Sequence, residues 1–341
     1  MQAYAAPDNS ILILVNMRHF SVFLSTCLFT LAIVIVPNAS TLAAGQAEQA
    51  QLDHFNTVLR SKVETVAILD GEDGAVSGLY TFRNKSSLNI VKFGGRNSLG
   101  NPKAIGETGL KWTPLLGAHL GYSESKNEFT DIPWLAGNTD TYTSYALGLE
   151  AGARIFLTDH VSVAPVLGII YSQTNSSFSA GTPAGSEMKR IYGGQLVDWW
   201  VDTLSLVPSM ELQYQRIFAE NWKLTLTTNY AWFWTNDIAR TSIYQKISGN
   251  SSYWDNRADL DIRLPWKLFG FPLHTGGFVS AAILGDDLRE GLDSDAIYIF
   301  NGRFGVGDLK GLCKLGRIGM GASYIRANNF YGFSWGLDIS F

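Results

Sequence analysis

The chain has 341 residues, of which 46% are hydrophobic and only 16% are charged. Ordinary globular domains carry about 25% charged residues, so this composition excludes a largely disordered protein. Lys and Arg number 26 against 30 Asp and Glu, which gives a net charge of −4. A nucleic-acid partner is therefore not expected, because binding to phosphates requires a basic surface.

The N-terminus has the layout of a secretory signal peptide. A positive start at Arg18 precedes an apolar run over residues 20–36, and small residues follow at Thr41 and Ala43. This order is typical of an exported protein and places the mature N-terminus near Ala44. A retained membrane anchor is the alternative, but polar residues interrupt the run and a small-residue cleavage site ends it.

Two methionines are candidates for the first residue of the protein. Residues 1–16 contain no Lys or Arg, so they have the character of an upstream extension, and both Met1 and Met17 stay open as the start. Residues 1–43 are assigned to this extension plus the signal peptide.

The remainder of the chain is exported but lacks a helix that could anchor it. Its one cysteine, Cys313, rules out an intrachain disulfide. No stretch approaches the run of about 18 apolar residues that a spanning helix requires. Such a chain is either soluble outside the inner membrane or an outer-membrane β-barrel, and the periodicity of the strands distinguishes the two.

The end of the chain alternates strictly. Large apolar side chains occupy every second position over residues 331–341, and the intervening residues are Gly, Ser and Asp338. A period of two places the two sets on opposite faces of a strand. This segment resembles the C-terminal recognition strand of bacterial outer-membrane proteins, so the barrel assembly machinery is an expected partner. The predicted assembly signal is Tyr331, Phe333, Trp335, Leu337, Ile339 and Phe341.

Residues 253–266 show the same alternation, with charges on one face and Trp, Leu and Ile on the other. A cation that faces lipid near the middle of the bilayer costs about 2 to 4 kcal/mol, so the charged face is expected to point into a wet lumen. Extended to the other strands, the alternation predicts a lumen lined by Glu150, Arg154, Glu211, Asp255, Arg257, Asp259, Asp261, Arg263, Arg303 and Arg317.

Alternating segments number twelve, an even count as expected for an antiparallel barrel, although ten or fourteen strands are alternatives. The predicted fold is an all-β membrane protein with a transmembrane barrel over residues 75–341. With the C-terminus in the periplasm, the long loops 124–141, 175–201 and 237–252 fall outside. The predicted strands are 75–83, 87–94, 109–123, 142–157, 161–174, 202–218, 222–236, 253–266, 272–285, 295–308, 314–326 and 330–341.

A helix is predicted before the barrel. Over residues 46–70 apolar residues such as Leu52, Phe55 and Leu59 recur at helical spacing, which indicates an amphipathic α-helix. Residues 44–74 are assigned to this helical linker or plug. The helix either occupies the lumen, or covers its periplasmic mouth or packs on the barrel wall.

This layout of signal peptide, helix and twelve-strand barrel with an aromatic last residue resembles the translocator domain of autotransporters. In that family the helix threads the lumen and joins the barrel to a secreted passenger. Little sequence separates Ala44 from the helix, so the chain is similar to solitary autotransporter barrels that lack a passenger. Some members cleave between paired asparagines in the helix, but here Asn56 is followed by Thr57, so the resemblance does not carry that reaction over.

No catalytic residues, metal ligands or cofactor are predicted. Outer-membrane phospholipases are also barrels that use His and Ser, but His160 and Ser162 fall at a predicted periplasmic turn. The loop 285–295 collects five carboxylates, and oxygen-rich loops can hold calcium. Its spacing differs from that of an EF-hand, and a solvated external loop is the preferred interpretation.

The functional hypothesis is a non-enzymatic bacterial outer-membrane barrel, expected to be a monomer in contact with outer-membrane lipid and lipopolysaccharide. One alternative is a porin-like diffusion channel for small solutes. Another is a surface-interaction protein acting through the loops 175–201 and 237–252.

Overall fold

The computed structural model describes residues 74–83, 86–128, 136–218, 221–307, 309 and 316–340. The predicted signal peptide, the predicted helix over residues 46–70 and Cys313 lie outside these residues.

Thirteen strands form one antiparallel sheet. One of them, the two-residue strand Lys103–Ala104, pairs only with the strand that follows it. The other twelve close into a barrel, because the first strand pairs with both the second and the last. The predicted antiparallel β-barrel is therefore confirmed. These strands are β1 (Gly74–Phe82), β2 (Ser87–Ser98), β3 (Lys111–Glu128), β4 (Thr139–Phe156), β5 (Val161–Ser179), β6 (Trp200–Phe218), β7 (Trp222–Arg240), β8 (Ser248–Leu268), β9 (Phe271–Gly285), β10 (Ala296–Gly307), β11 (Arg317–Ala327) and β12 (Phe330–Ser340).

The two faces of β12 differ as the alternation predicts. On β12 the side chains of Phe333 and Trp335 are 63% and 65% exposed on the outside of the barrel, whereas Ser334 and Asp338 are 3% and 7% exposed on the inside. Large apolar groups on the outer face suit contact with hydrocarbon.

The strands are longer than predicted on one side of the barrel. The strands β3 to β8 have 18 to 21 residues, against nine in β1. Nineteen residues at about 3.3 Å each, tilted by about 45°, rise about 42 Å, well beyond an apolar band of about 25 Å. The predicted loops 124–141, 175–201 and 237–252 are therefore partly wrong, because polar residues there continue the hydrogen-bonded ladder outside the lipid.

The two ends of the barrel have different connections. At the terminal end, where β1 begins and β12 finishes, the connection 157–160 is short, and 269–270 is a two-residue turn. At the opposite end of the barrel, which we call the loop end, longer connections span 180–199 and 286–295. One correction concerns the terminal end: β2 continues to Ser98, four residues past the predicted strand end at Gly94.

Among the described residues, the loop-end connections contain two short α-helices: α1 (Pro183–Tyr192) and α2 (Asp286–Leu292). The hydroxyl of Thr182 caps α1 by accepting a hydrogen bond from the Gly185 N–H at 3.1 Å. A cap of this kind stabilises a helix by about 1 kcal/mol. Among the described residues, no helix is long and apolar enough to cross a membrane.

Candidate functional site: the barrel interior

A first network of charged side chains crosses the interior near the terminal end. Arg96 on β2 donates to Glu211 on β6 at 2.5 Å, although three strands separate β2 from β6 along the wall. Arg154 on β4 donates to the other carboxylate oxygen of Glu211 at 2.8 Å. Glu150 lies 3.6 Å from Arg96 and 3.2 Å from His119 Nε2. The network therefore ties β2, β3, β4 and β6 together across the interior.

Glu211 is the centre of this first network. Its side chain is 8% exposed and accepts from two guanidinium groups. A buried carboxylate is tolerated only when it is paired, and removal of one partner of such a pair costs about 3 to 5 kcal/mol. The two arginines and two glutamates leave no net charge in the network before His119 is counted.

A second network occupies the opposite wall. Arg303 on β10 makes two parallel hydrogen bonds to Asp259 on β8, at 2.7 and 2.5 Å. Arg317 on β11 lies 3.1 Å from Asp261 and also pairs with Asp338 on β12. Bidentate arginine–carboxylate pairs fix geometry as well as charge. The second network therefore links strands on both sides of β9.

Glycines lie opposite the arginine of the second network on both neighbouring strands. The register places Arg303 opposite Gly276 on β9 and opposite Gly321 on β11. A Cβ added to Gly276 would lie 2.1 Å from the Leu260 carbonyl oxygen, so the strands approach closely there. Glycine is the residue that permits such a close approach.

Seven of the ten predicted lumen residues belong to these two networks. Of the others, Arg257 lies 4.0 Å from Asp255, with its guanidinium 4.1 Å from the centre of the Phe278 ring, and Arg263 lies opposite His274. That the set lines a water-filled passage stays a prediction. The seven members are Glu150, Arg154, Glu211, Asp259, Asp261, Arg303 and Arg317.

Four members of the networks are outside the predicted set of lumen residues: Arg96, His119, His274 and Asp338. Arg96 lies beyond the predicted end of the second strand at Gly94, although it continues the same face two residues later. Asp338 falls on the charged and small-residue face of the last strand but is not in the predicted lumen set. His274 Nδ1 lies 3.4 Å from Asp261, and the alternation of β9 places His274 on the same face as Phe278 and Ser280.

Toward the loop end, one part of the interior is apolar, whereas buried Ser and Thr side chains line the wall of β4 to β7. A continuous cluster of buried side chains joins eight strands and α2, with Tyr80, Phe233 and Leu288 among its largest members. The apolar zone adjoins the charged residues, because Phe278 lies opposite Asp259 and its ring centre is 4.1 Å from the Arg257 guanidinium. The buried members of the apolar zone are Tyr80, Leu88, Ile90, Val207, Ala231, Phe233, Phe278, Ala282, Leu284, Leu288, Leu292, Ile297, Ile299, Ile325, Ala327 and Phe330.

The helix α2 folds into this apolar zone. Leu288 and Leu292 are 0% and 1% exposed. Asp286 accepts from the Ser252 hydroxyl at 3.0 Å, and Asp287 accepts from the Asn250 N–H at 2.9 Å. The loop-end connection is therefore fastened to β8 and contributes two leucines to the interior.

The carboxylates of the same connection are engaged with neighbouring groups. Arg289 lies 2.7 Å from Asp295. Burial raises the pKa of the Asp293 carboxyl above its ordinary value, and the positive charge of Arg83 opposes this rise. Among the residues that the structure describes, no three His, Cys, Asp or Glu side chains are arranged to hold a metal ion.

Two of the similar solved structures are autotransporter barrels. The β domain of the Bordetella autotransporter BrkA aligns with a TM-score of 0.50 at 11% identity, over 78% of this chain and 97% of that one. The transport unit of AIDA-I from Escherichia coli aligns with a TM-score of 0.51 at 9% identity, over 84% and 98%. At these identities the likeness shows the shared fold alone. No curated protein matches the sequence.

A porin is less similar. The NanC porin aligns with a TM-score of 0.37 at 9% identity, over 78% of this chain and 98% of that one, which is too low to support any functional argument.

The sequence itself matches one family. The family is described as a solitary outer membrane autotransporter beta-barrel domain. The match covers residues 67–298, more than half of the chain. The closed twelve-strand barrel has the architecture that such a domain requires, and a bacterial outer membrane is its location. The chain therefore belongs to the family of solitary outer membrane autotransporter β-barrel domains.

Proposed function

We propose that this barrel is a non-enzymatic, translocator-type domain whose lumen is closed at rest by its own N-terminal segment, residues 46–70. The loop end is proposed to face the cell exterior and the terminal end the periplasm. The observation that carries the proposal is the apolar zone inside the barrel, beside the two charged networks.

The apolar zone provides a partner for the predicted helix. An amphipathic helix with Leu52, Phe55 and Leu59 on one stripe is unsuited to a lumen lined only by charges. Inward-facing groups such as Phe233 and Phe278 would pack against that stripe, since burial of apolar area is worth about 25 cal/mol per Å². Polar residues on the other faces of the segment would then meet the ion-pair networks.

The ion-pair networks argue against an open diffusion channel. A selectivity lining presents charges to passing solutes, whereas here Arg96 and Arg154 pair with Glu211, and Arg303 pairs with Asp259. Together with the apolar zone, these contacts favour a closed barrel over the porin-like alternative.

Planar-bilayer recording tests the proposal. The mature protein should show no large, stable conductance, and deletion of residues 44–72 should produce discrete conductance steps. Large stable steps from the intact protein would disprove closure. Silence of the deletion variant, once its heat-modifiable gel migration shows a folded barrel, would disprove the role given to the N-terminal segment.

The N-terminus and orientation require separate measurements. Cleavage of residues 1–43 predicts a mature protein that begins near Ala44, which mass spectrometry of outer-membrane fractions can detect. External exposure of the loop end predicts that proteases added to intact cells cut within 180–199. Cuts confined to the terminal end would reverse the proposed orientation.

A surface-interaction role is a second candidate, favoured by apolar groups at the tips of two loops. Ile191 and Ile243 are 47% and 75% exposed, and their loops are joined by a hydrogen bond from the Gln245 side chain to the Gln195 carbonyl. Exposed apolar patches mark interaction sites when they are contiguous. Replacement of both isoleucines by Ser should reduce binding of intact cells to a host-cell monolayer, and unchanged binding would remove this candidate.

A further inference from the structure

Asn256 places an amide on the lipid-facing wall of the barrel. It points outward from β8, and its side chain is exposed. The outward residues on either side of it along the strand are Trp254 and Ala258. An amide contrasts with the outward face of the last strand, which is apolar throughout. The outward residues of β12 are Tyr331, Phe333, Trp335, Leu337 and Ile339.

Asn256 lies inside the apolar band of the barrel. It is directly opposite Thr228 on β7, and Thr228 is halfway between the outward residues Trp222 and Trp234. These two tryptophans are about 28 Å apart along the axis of a barrel with strands tilted by 45°, close to the apolar band of about 25 Å that aromatic girdles border. The amide therefore faces hydrocarbon, where no water is present to bond with it.

The direction of the neighbouring hydrogen bonds determines which half of the amide is engaged. The indole N–H of Trp254 can only donate, and it donates to the Thr228 hydroxyl at 2.6 Å. The hydroxyl in turn donates to Asn256 Oδ1 at 2.9 Å. Among the described residues, no group accepts from the two N–H donors of Nδ2. Polar groups exposed to hydrocarbon are costly, and they mark contact sites in membrane proteins.

We infer that this wall binds a second copy of the chain, related to the first by a two-fold axis that passes beside Asn256. A primary amide is self-complementary, so each Nδ2 donates to Oδ1 of the other copy. Each Oδ1 keeps its bond to Thr228, because a carbonyl oxygen has two lone pairs. A two-fold axis supplies this reciprocity automatically, whereas the monomer that the sequence predicts leaves the donors in hydrocarbon.

Small side chains around Asn256 allow the two walls to approach closely. Ala258 is the next outward residue on β8, and Ala281 on β9 is directly opposite Asn256. Two short Asn side chains meet only when their strands come near each other, and small residues permit this approach in membranes. Trp254 and Val279, which are 49% and 52% exposed, border the alanines and pack against the other copy around the amide pair.

Sedimentation equilibrium of the mature protein in density-matched detergent micelles tests the inference. Folded protein, identified by heat-modifiable gel migration, should distribute between monomer and dimer. Asn256→Leu should weaken the dimer by roughly tenfold, because the two amide hydrogen bonds are lost, and it should fold normally, because leucine suits a lipid-facing position. A parent protein that stays monomeric at the highest ratio of protein to detergent would overturn the proposal. A dimer that Asn256→Leu leaves unchanged would do the same.

Asn89→Leu is the matched control. Asn89 is also an exposed outward amide, but it lies on β2, on the opposite side of the barrel from β8, so its replacement should leave the dimer unchanged. Equal weakening by the two substitutions would overturn the assignment of this wall.

Ala281→Trp gives a second, steric measurement. The added indole suits lipid, so the barrel should fold, but it holds the two walls apart and should abolish the dimer. Dimerisation of this variant at the strength of the parent protein would overturn the placement of the two-fold axis beside Asn256.

Discussion

The ring of Tyr80 covers Gly332 at the seam that closes the barrel. The two residues are directly opposite each other on β1 and β12, and a Cβ added to Gly332 would lie 2.4 Å from Cδ1 of the tyrosine. The same ring lies over Gly78, where a Cβ would be 2.4 Å from the phenolic oxygen. Since Tyr80 is fully buried, the ring has no open side toward which it can move.

Gly332→Ala is expected to destabilise the barrel by about 1 to 3 kcal/mol, the usual cost of overpacking a buried site. Denaturant titration in detergent, followed by heat-modifiable gel migration, measures the loss. Gly302→Ala is the control, because a Cβ added to Gly302 on β10 would meet nothing within 4 Å. Equal stability of the two variants would show that the ring does not pack closely on this glycine.

Glu211→Gln is expected to lower the free energy of unfolding by about 2 to 3 kcal/mol, because Arg96 and Arg154 lose their shared carboxylate while they remain partly buried. Thermal unfolding in detergent gives the measurement. Glu128→Gln is the control, since Glu128 is 63% exposed and 3.5 Å from Lys126, and exposed pairs contribute at most about 1 kcal/mol. A loss no larger than that of the control would contradict the central place given to Glu211.

Arg303→Lys is expected to destabilise the barrel although the charge is kept. Lysine has no planar fork, so it cannot make both hydrogen bonds to Asp259. A loss of about 1 to 2 kcal/mol corresponds to one such charge-assisted bond, and it can be measured by the same thermal unfolding. Arg326→Lys on the outer face of β11 should be neutral. A neutral Arg303→Lys would show that charge alone holds the second network together.

The outer face of the barrel could be predicted from the sequence better than its interior. The strict alternation of β12 fixes which residues meet lipid, because any charge on that face is costly. On β10 the run Ile297, Tyr298, Ile299, Phe300 is apolar on both faces, so the two-residue period disappears and the inner apolar zone is hidden. In a strand with an apolar interior on one side and lipid on the other, polar and apolar residues do not alternate, so the sequence does not distinguish the two faces.

The ion pairs across the interior could not be predicted for a different reason. The alternation identifies which charges point inward, but the partner of each is set by the stagger of the strands and the width of the barrel. Arg96 and Glu211 are 115 residues apart in the chain. Only closure of the sheet brings β2 and β6 to opposite sides of a space narrow enough for the two side chains to meet.

The assembly signal in the last strand leads to a prediction about insertion as distinct from stability. Phe341→Ser is expected to reduce the amount of barrel in the outer membrane of cells several-fold, whereas the purified variant should refold in detergent as the parent protein does. The distinction arises because the terminal aromatic is proposed to be recognised by the assembly machinery before the barrel closes. Quantitative immunoblotting of membrane fractions and a refolding assay separate the two effects.

Phe269→Ser is the matched control for that experiment. Phe269 is also an aromatic residue at the terminal end of the barrel, 90% exposed in the two-residue turn between β8 and β9, but it is outside the last strand. Its replacement should leave insertion unchanged. If both variants insert normally, the final aromatic residue is not a recognition signal. If Phe341→Ser fails to refold in detergent as well, its effect in cells is one of stability, because a residue that acts only in recognition contributes little to the closed barrel.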